Sequence, residues 1–301
     1  RAKYMTLIAA FLGWMFDGLE MGIFPLIARP ALQQMQAASG VVDDRFVGHW
    51  MGIITALFLL GAAAGGLVFG WLGDRVGRVR AMSLAILCYS VCTGLAYFAQ
   101  TPWQLGALRF AAALGMGGEW SLGVALVMEV WPQEKRPMLA GIIGAAANVG
   151  FVLIAIVGMS FAVTQETWRY VVLVGAVPAL LTFVIRLFVP ESEKWQQAAA
   201  TRPIRPIREI LASWDLLKPT LMAILISSVV LIGTWGSVQW LPLWADQMAG
   251  PSLPKAKAYT QALSAIGSVC GCLAGAWLGG LLGRRPAYFL LCLGSLVSCA
   301  W

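Results

Sequence analysis

Apolar residues arrive in nine runs, near 4–28, 49–71, 81–99, 104–130, 138–162, 168–189, 218–244, 259–282 and 286–301, separated by short polar stretches. A helix that crosses the hydrocarbon core of a bilayer needs about 20 mostly apolar residues. The pattern therefore predicts an all-α polytopic membrane protein with spans at those places. The one long polar interruption is 190–217, which holds Pro190, Pro203, Pro206 and many charges. It divides the chain into a six-helix half (1–189), a cytoplasmic linker (190–217) and a partial second half of about three helices (218–301). The first run is too long for a cleavable signal, and it contains Asp17 and Glu20 with no small-residue cleavage site after it. The chain starts at Arg1 and stops at Trp301 inside an apolar run, so it is expected to be part of a longer protein.

Composition agrees with the bilayer as solvent. Hydrophobic residues make up 59% and charged ones 12%, with a mean hydropathy of +0.77, more apolar surface than a water-soluble domain can hide. The net charge of +7 changes the picture only through its distribution. Arg75, Arg78, Arg80, Lys135, Arg136, Lys194, Arg202, Arg205, Arg208, Arg284 and Arg285 fall in alternate loops, on the side of Arg1 and Lys3. The other loops hold only Arg29, Arg45, Arg169, Lys255 and Lys257. That is the positive-inside bias of a membrane protein with a cytoplasmic N-terminus, not a nucleic-acid patch. The six cysteines lie within spans and lack metal-ligand spacing or a histidine partner. Trp50, Trp71, Trp103, Trp131, Trp168 and Trp244 stand near span ends, where an interfacial belt places tryptophan. Trp120 and Trp235 lie deeper, as packing residues or as cavity lining. The sole asparagine, Asn148, leaves no N-glycosylation site, which fits a bacterial inner membrane.

The chain repeats itself at an offset of 206 residues: nine positions between 61 and 81, among them Gly61, Trp71, Gly73, Gly77 and Arg78, recur as Gly267, Trp277, Gly279, Gly283 and Arg284. The second and eighth helices are thus equivalents, and a parallel duplication of six-helix halves follows. Gly61 and Gly65, and likewise Gly271, Gly275 and Gly279, form small-residue stripes that let helix backbones approach. Static packing and a sliding contact between halves both explain such stripes.

The segment Gly70-Trp71-Leu72-Gly73-Asp74-Arg75-Val76-Gly77-Arg78-Val79-Arg80 resembles the loop signature of the major facilitator superfamily. The resemblance implies two six-helix halves, transport by alternating access, a monomer, and a gating role for this loop, in which the aspartate pairs with arginine near a helix end. In the second copy Gly280 stands where the aspartate would be, so its latch is weaker or absent. Gly115-Met116-Gly117-Gly118-Glu119-Trp120 resembles the equivalent run of metabolite–proton symporters. Glu129 and Arg136 match the Glu-x6-Arg pattern after helix four, and Pro190-Glu191-Ser192-Glu193-Lys194-Trp195 the close of helix six. Asp17-Gly18-Leu19-Glu20 resembles the Asp-Gly-aromatic-Asp of aromatic-acid and sialic-acid proton symporters, with leucine and glutamate substituted.

An ionisable group in hydrocarbon costs at least about 2.5–3.5 kcal/mol on insertion scales, which makes it a functional candidate. Asp17, Glu20, Arg109 and Glu119 are such groups. Asp17 and Glu20 share a helix face, and two carboxyls in one dry site do not both ionise easily. With helix one running outward and helix four inward, Glu20 and Arg109 lie about 12 and about 9 Å from their outer ends, so Arg109 can meet Glu20 or Asp17. The expectation is that Asp17 or Glu20 carries a coupling proton and that Arg109 binds that carboxylate or an anionic substrate. A structural ion pair is the competing account, and Glu119 is equally a brace for helix four. Asn148 in helix five is a candidate for cavity lining and substrate contact or, equally, for an interhelical hydrogen bond, and Gln239 in helix seven is a candidate substrate contact. Gly70, Gly73, Asp74, Arg75, Gly77, Arg78, Glu129 and Arg136 are candidates for gating. His49 sits at a helix mouth as a solvated residue.

The function expected is secondary active transport, proton-coupled uptake of a small organic acid or related metabolite. Efflux by antiport and a transporter-like solute sensor are the alternatives. No nucleophile–base pattern, phosphate loop or metal cluster is present in the sequence, so no enzyme, cofactor or metal is expected. The partners are a small solute, protons and lipid.

Overall fold

The computed structural model describes residues 2–37, 43–178 and 212–300. All nine apolar runs contain helix: α1 (Ala2–Ala37), α2 (Asp44–Val76), α3 (Arg78–Leu95), α4 (Pro102–Val130), α5 (Arg136–Ser160), α6 (Trp168–Val174), α7 (Trp214–Ser237), α8 (Leu241–Ala249), α9 (Ala256–Leu282) and α10 (Arg284–Ala300). Six of the described helical segments are long and apolar enough to cross a membrane. The remainder of the sixth run and most of the linker lie outside the described residues, as does the Pro190–Trp195 motif.

Local chemistry sets the helix ends. Asp43 caps α2 by accepting from the Arg45 amide at 2.9 Å. Thr101 and Gln104 cap α4 reciprocally, each side chain accepting from the other's backbone amide, at 3.3 and 3.2 Å, with Pro102 in the first turn. Two spans differ from the expected 4–28 and 218–244. α1 continues to Ala37 through Pro25 and Pro30; its 36 residues span about 54 Å, beyond a hydrocarbon core of about 30 Å, and its polar tip (Arg29, Gln33, Gln34, Gln36) extends past the apolar run. The seventh run is broken: α7 ends at Ser237, a 3-10 turn covers Val238–Trp240, and α8 starts at Leu241. Pro242 supplies the reason, since it has no amide for the carbonyl of residue 238 and its ring crowds that carbonyl. Gln239 therefore lies in a turn and not within helix seven.

The first half packs through glycine. A methyl group at Gly61 or Gly65 would overlap the Phe110 or Leu114 carbonyl of α4, and one at Gly117 would overlap the Ala62 carbonyl of α2. Gly18 and Gly150 bring α1 and α5 equally close, against Ala147 and Met15. The Gly61–Gly65 stripe is thus static packing inside one half. Its counterpart on α9 meets little: Gly271 and Gly279 have nothing within 4 Å, and Gly275 only Leu291 at 3.4 Å, among the described residues. The halves meet instead where α5 crosses α9, at Gly141 against Ala276 and Gly158 against Ala258.

The duplication is visible in backbone geometry. α2 turns into α3 at Gly77 with φ 111°, and α9 turns into α10 at Gly283 with φ 82°. These positions are 206 residues apart, and only glycine adopts such a conformation cheaply.

Candidate functional site

Midway along the first half, between two apolar clusters of α1 with its neighbours, lies a buried polar cluster. Asp17 and Arg109 are 5% exposed, Glu20 and Glu119 not at all. Arg109 of α4 forms a salt bridge with Glu20 of α1. Thr93 of α3 donates to the same Glu20 oxygen at 2.8 Å. The guanidinium lies over the rings of Phe24 (5.2 Å) and Phe58 (4.8 Å), which desolvate it while their faces stabilise the cation.

Asp17 turns elsewhere. Residues three apart on a helix are separated by about 60° around its axis, enough to give the two acids different partners. Asp17 comes within hydrogen-bonding reach of Glu119 on α4, whose carboxylate rests on Gly13, where any side chain would overlap it.

A cavity of about 270 Å³ opens between the halves. Trp14, Trp120, Phe151 and Trp235 give it aromatic walls; Asn148, Gln239, Gln261, Thr234, Thr260, Ser264 and Ser268 supply polar groups. Trp120 and Trp235, for which packing and cavity lining were both open, line it. The Asn148 amide donates to the Gly144 carbonyl at 3.1 Å and reaches Cys272 at 3.8 Å; Gln261 donates to the Gly22 carbonyl at 3.1 Å. A smaller recess, bounded by Met21, Pro25, Trp235 and Gln239 in common with the cavity, ends at Arg109. Arg109, paired with the fully buried Glu20, thus lines the recess beside the inter-half cavity.

The loop motif is ordered by its own charges. Asp74 and Arg78 pair at 2.7 Å, Arg75 lies 4.3 Å over the Trp71 ring, and Gly73 admits the side chain of Leu122. Gly70 lies beside Ser121. Arg136 donates to the Trp131 carbonyl at 3.4 Å; the Glu129 side chain lies outside the described residues. Trp168, expected in the interfacial belt, is instead buried, donating to Gln34 at 2.8 Å. His49 is exposed, as expected of a helix mouth.

Residues that read along the chain as scattered loop charges meet in one network. At the end of the bundle opposite the Asp74 turn, Arg29 of α1 pairs with Asp44 of α2 at 3.2 Å and with Asp246 of α8 at 3.3 Å. Lys257 of α9 lies 3.8 Å from the same Asp246 and donates to the Val163 carbonyl at 3.2 Å. This network joins the two halves. No short-range pattern announces it, because Arg29 and Asp246 are 217 positions apart.

The paired glycine turns, the charged loop and the inter-half cavity together describe one family. The sequence profile of the Major Facilitator Superfamily matches residues 6–301. The chain belongs to the major facilitator superfamily. A Haemophilus influenzae protein named for metabolite transport is 31% identical over 98% of this chain and 72% of its own length. The cis,cis-muconate transport protein of Acinetobacter baylyi is 27% identical over 97% of this chain and 70% of its own length. Among solved structures, the xylose transporter XylE of Escherichia coli, partially occluded and inward-open, superposes with a TM-score of 0.65 at 16% identity, over 95% of this chain and 75% of that one; at that identity the likeness is one of fold. The chain is a multi-pass membrane transporter and not an enzyme.

Proposed function

We propose that the whole protein is a proton-coupled importer of small organic acids and that the Arg109–Glu20 pair is its exchange site. The observation that carries this reading is a paired guanidinium lining the recess beside the inter-half cavity. A substrate carboxylate entering the recess competes with Glu20 for the two-pronged face of Arg109. Glu20, displaced into apolar surroundings, keeps its place only by taking a proton. Substrate and proton then cross together, and release of the proton on the other side returns Glu20 to Arg109 and expels the substrate.

The indoles of Trp14 and Trp120, 4.8 Å apart, and Trp235 favour a flat or ring-bearing acid, with Asn148 and Gln239 as its polar contacts. The muconate-transporting relative supports the same class. The Asp74 turn, with Arg75, Arg78, Glu129 and Arg136, serves as the gate on the positively charged side, which the charge bias places in the cytoplasm with the N-terminus. The superfamily expectation of a monomer accompanies this reading.

The test uses the full-length protein in sealed liposomes under an inward proton gradient, with labelled aromatic and dienoic carboxylic acids and a record of internal pH. Accumulation with matching acidification supports the reading, and Glu20→Gln then exchanges substrate without accumulating it. Uptake only to equilibrium, with no change of internal pH, overturns it.

A further inference from the structure

Glu119 takes no part in the Arg109–Glu20 exchange, yet it is fully buried and neither of its carboxylate oxygens has a donor among the described residues. Asp17, within hydrogen-bonding reach of it, has an Oδ1 in the same condition. Two carboxylates in contact with no donor between them repel, and in a low-dielectric interior that repulsion is several times its value in water. One proton converts the contact into a hydrogen bond and halves the buried charge. We propose that Asp17 and Glu119 form a second proton-binding site, a carboxylic acid–carboxylate pair sharing one proton, separate from the Arg109–Glu20 pair.

The surroundings agree from every side. From α4, Arg109 is the nearest cation, and its salt bridge is with Glu20. From α1 the ionisable group next to Asp17 along the helix is Glu20, held by Arg109 and Thr93. From α3 comes Tyr89, fully buried, its hydroxyl without a partner among the described residues and within electrostatic reach of all three carboxyls. Gly115, one turn before Glu119, lets the backbone of α3 approach at Tyr89. That hydroxyl is an uncommitted neutral donor within electrostatic reach of the pair, suited to the oxygen left unprotonated. α2 brings Asp44, Arg45 and the exposed His49 near its start and Asp74 and Arg75 in its last turn, and α5 only Arg136 in its first turn. No group of three or more acidic, histidine or cysteine side chains suited to a metal ion occurs among the described residues, so a proton is the ligand this chemistry fits. Three acids and one guanidinium also mean that a neutral cluster holds two protons, one more than the exchange at Glu20 involves.

The transport consequence rests on the proton-coupled reading; the site itself does not. The test is infrared spectroscopy of the full-length protein in lipid, in H2O and D2O at neutral pH. The expected result is a carboxylic-acid C=O band that shifts in D2O, survives Glu20→Gln, moves in Asp17→Asn, Glu119→Gln and Tyr89→Phe, and is lost in the Asp17→Asn/Glu119→Gln double variant. Circular dichroism and size exclusion establish that each variant is folded. A wild-type protein without the band, or a double variant that keeps it unchanged, overturns the proposal. Uptake without acidification, with the band present, overturns the coupling mechanism and leaves the paired site standing.

Discussion

The charge network joining the halves at Asp246 is expected to set how often that end of the molecule opens. In Asp246→Asn the Arg29 and Lys257 contacts, at 3.3 and 3.8 Å, lose their shared anion while the carbonyl of Val163 still holds Lys257. Partly exposed ion pairs contribute about 0.2–1 kcal/mol each. Two of them, both broken when the halves part, hold the closed state by about 0.4–2 kcal/mol, a factor of about 2–30 in the closed-to-open ratio. Thr260 lies one turn beyond Lys257 on α9 and lines the cavity. With the six native cysteines replaced by serine and Thr260→Cys introduced, an impermeant maleimide applied from the network's side reads the open fraction directly. The labelling rate is expected to rise about 2–30-fold in Asp246→Asn. High salt should raise the parent rate toward that of the variant and leave the variant unchanged, since screening acts on the pairs alone. Equal rates in the two proteins at low salt refute the assignment.

Three further outcomes follow from the geometry. Gly65→Ala places a methyl on the Leu114 carbonyl and is expected to cost about 1–3 kcal/mol, seen as a lower melting temperature in detergent, whereas Gly279→Ala, with nothing near it, leaves melting unchanged. Gly77→Ala and Gly283→Ala each force a side chain into a positive-φ conformation at about 1–3 kcal/mol, measurable in the same scan. Arg109→Lys keeps the charge but loses the fork and most of its stacking on Phe24 and Phe58; at about 0.5–2 kcal/mol for such cation–ring contacts, the substrate KM is expected to rise about 2–30-fold, and an unchanged KM places Arg109 outside the binding site.

Much of this molecule was legible along the chain because its strongest signals are local. Long apolar runs give helices wherever lipid is the solvent, and the duplicated glycines mark a backbone turn that only glycine makes comfortably. The break at Gln239 was legible too, had Pro242 been weighed above the continuous apolar run. The buried acids were recognisable as costly, but their partners were not. Asp17 and Glu20 share a face at the resolution of sequence spacing, and the small rotation between them sends one to Glu119 and the other to Arg109. The Arg29–Asp246–Lys257 network was invisible for a different reason: each member looks like an ordinary loop charge until the halves assemble. Trp168 misled in the same way, since a span-end tryptophan suits the interface and here is covered because Gln34 on the overlong α1 accepts its indole proton.

The two glycine turns record what a duplicated gene is free to forget. At the first, the aspartate–arginine pair Asp74–Arg78 reinforces the bend; at the second, Gly280 has taken the acid's place while Gly283 keeps the positive φ. Side-chain chemistry at such a corner can drift once, because its twin still performs it. Backbone conformation cannot, because each copy must make its own corner. Geometry has therefore outlasted charge in this chain, and the molecule that results is symmetric in its bends and lopsided in what locks them.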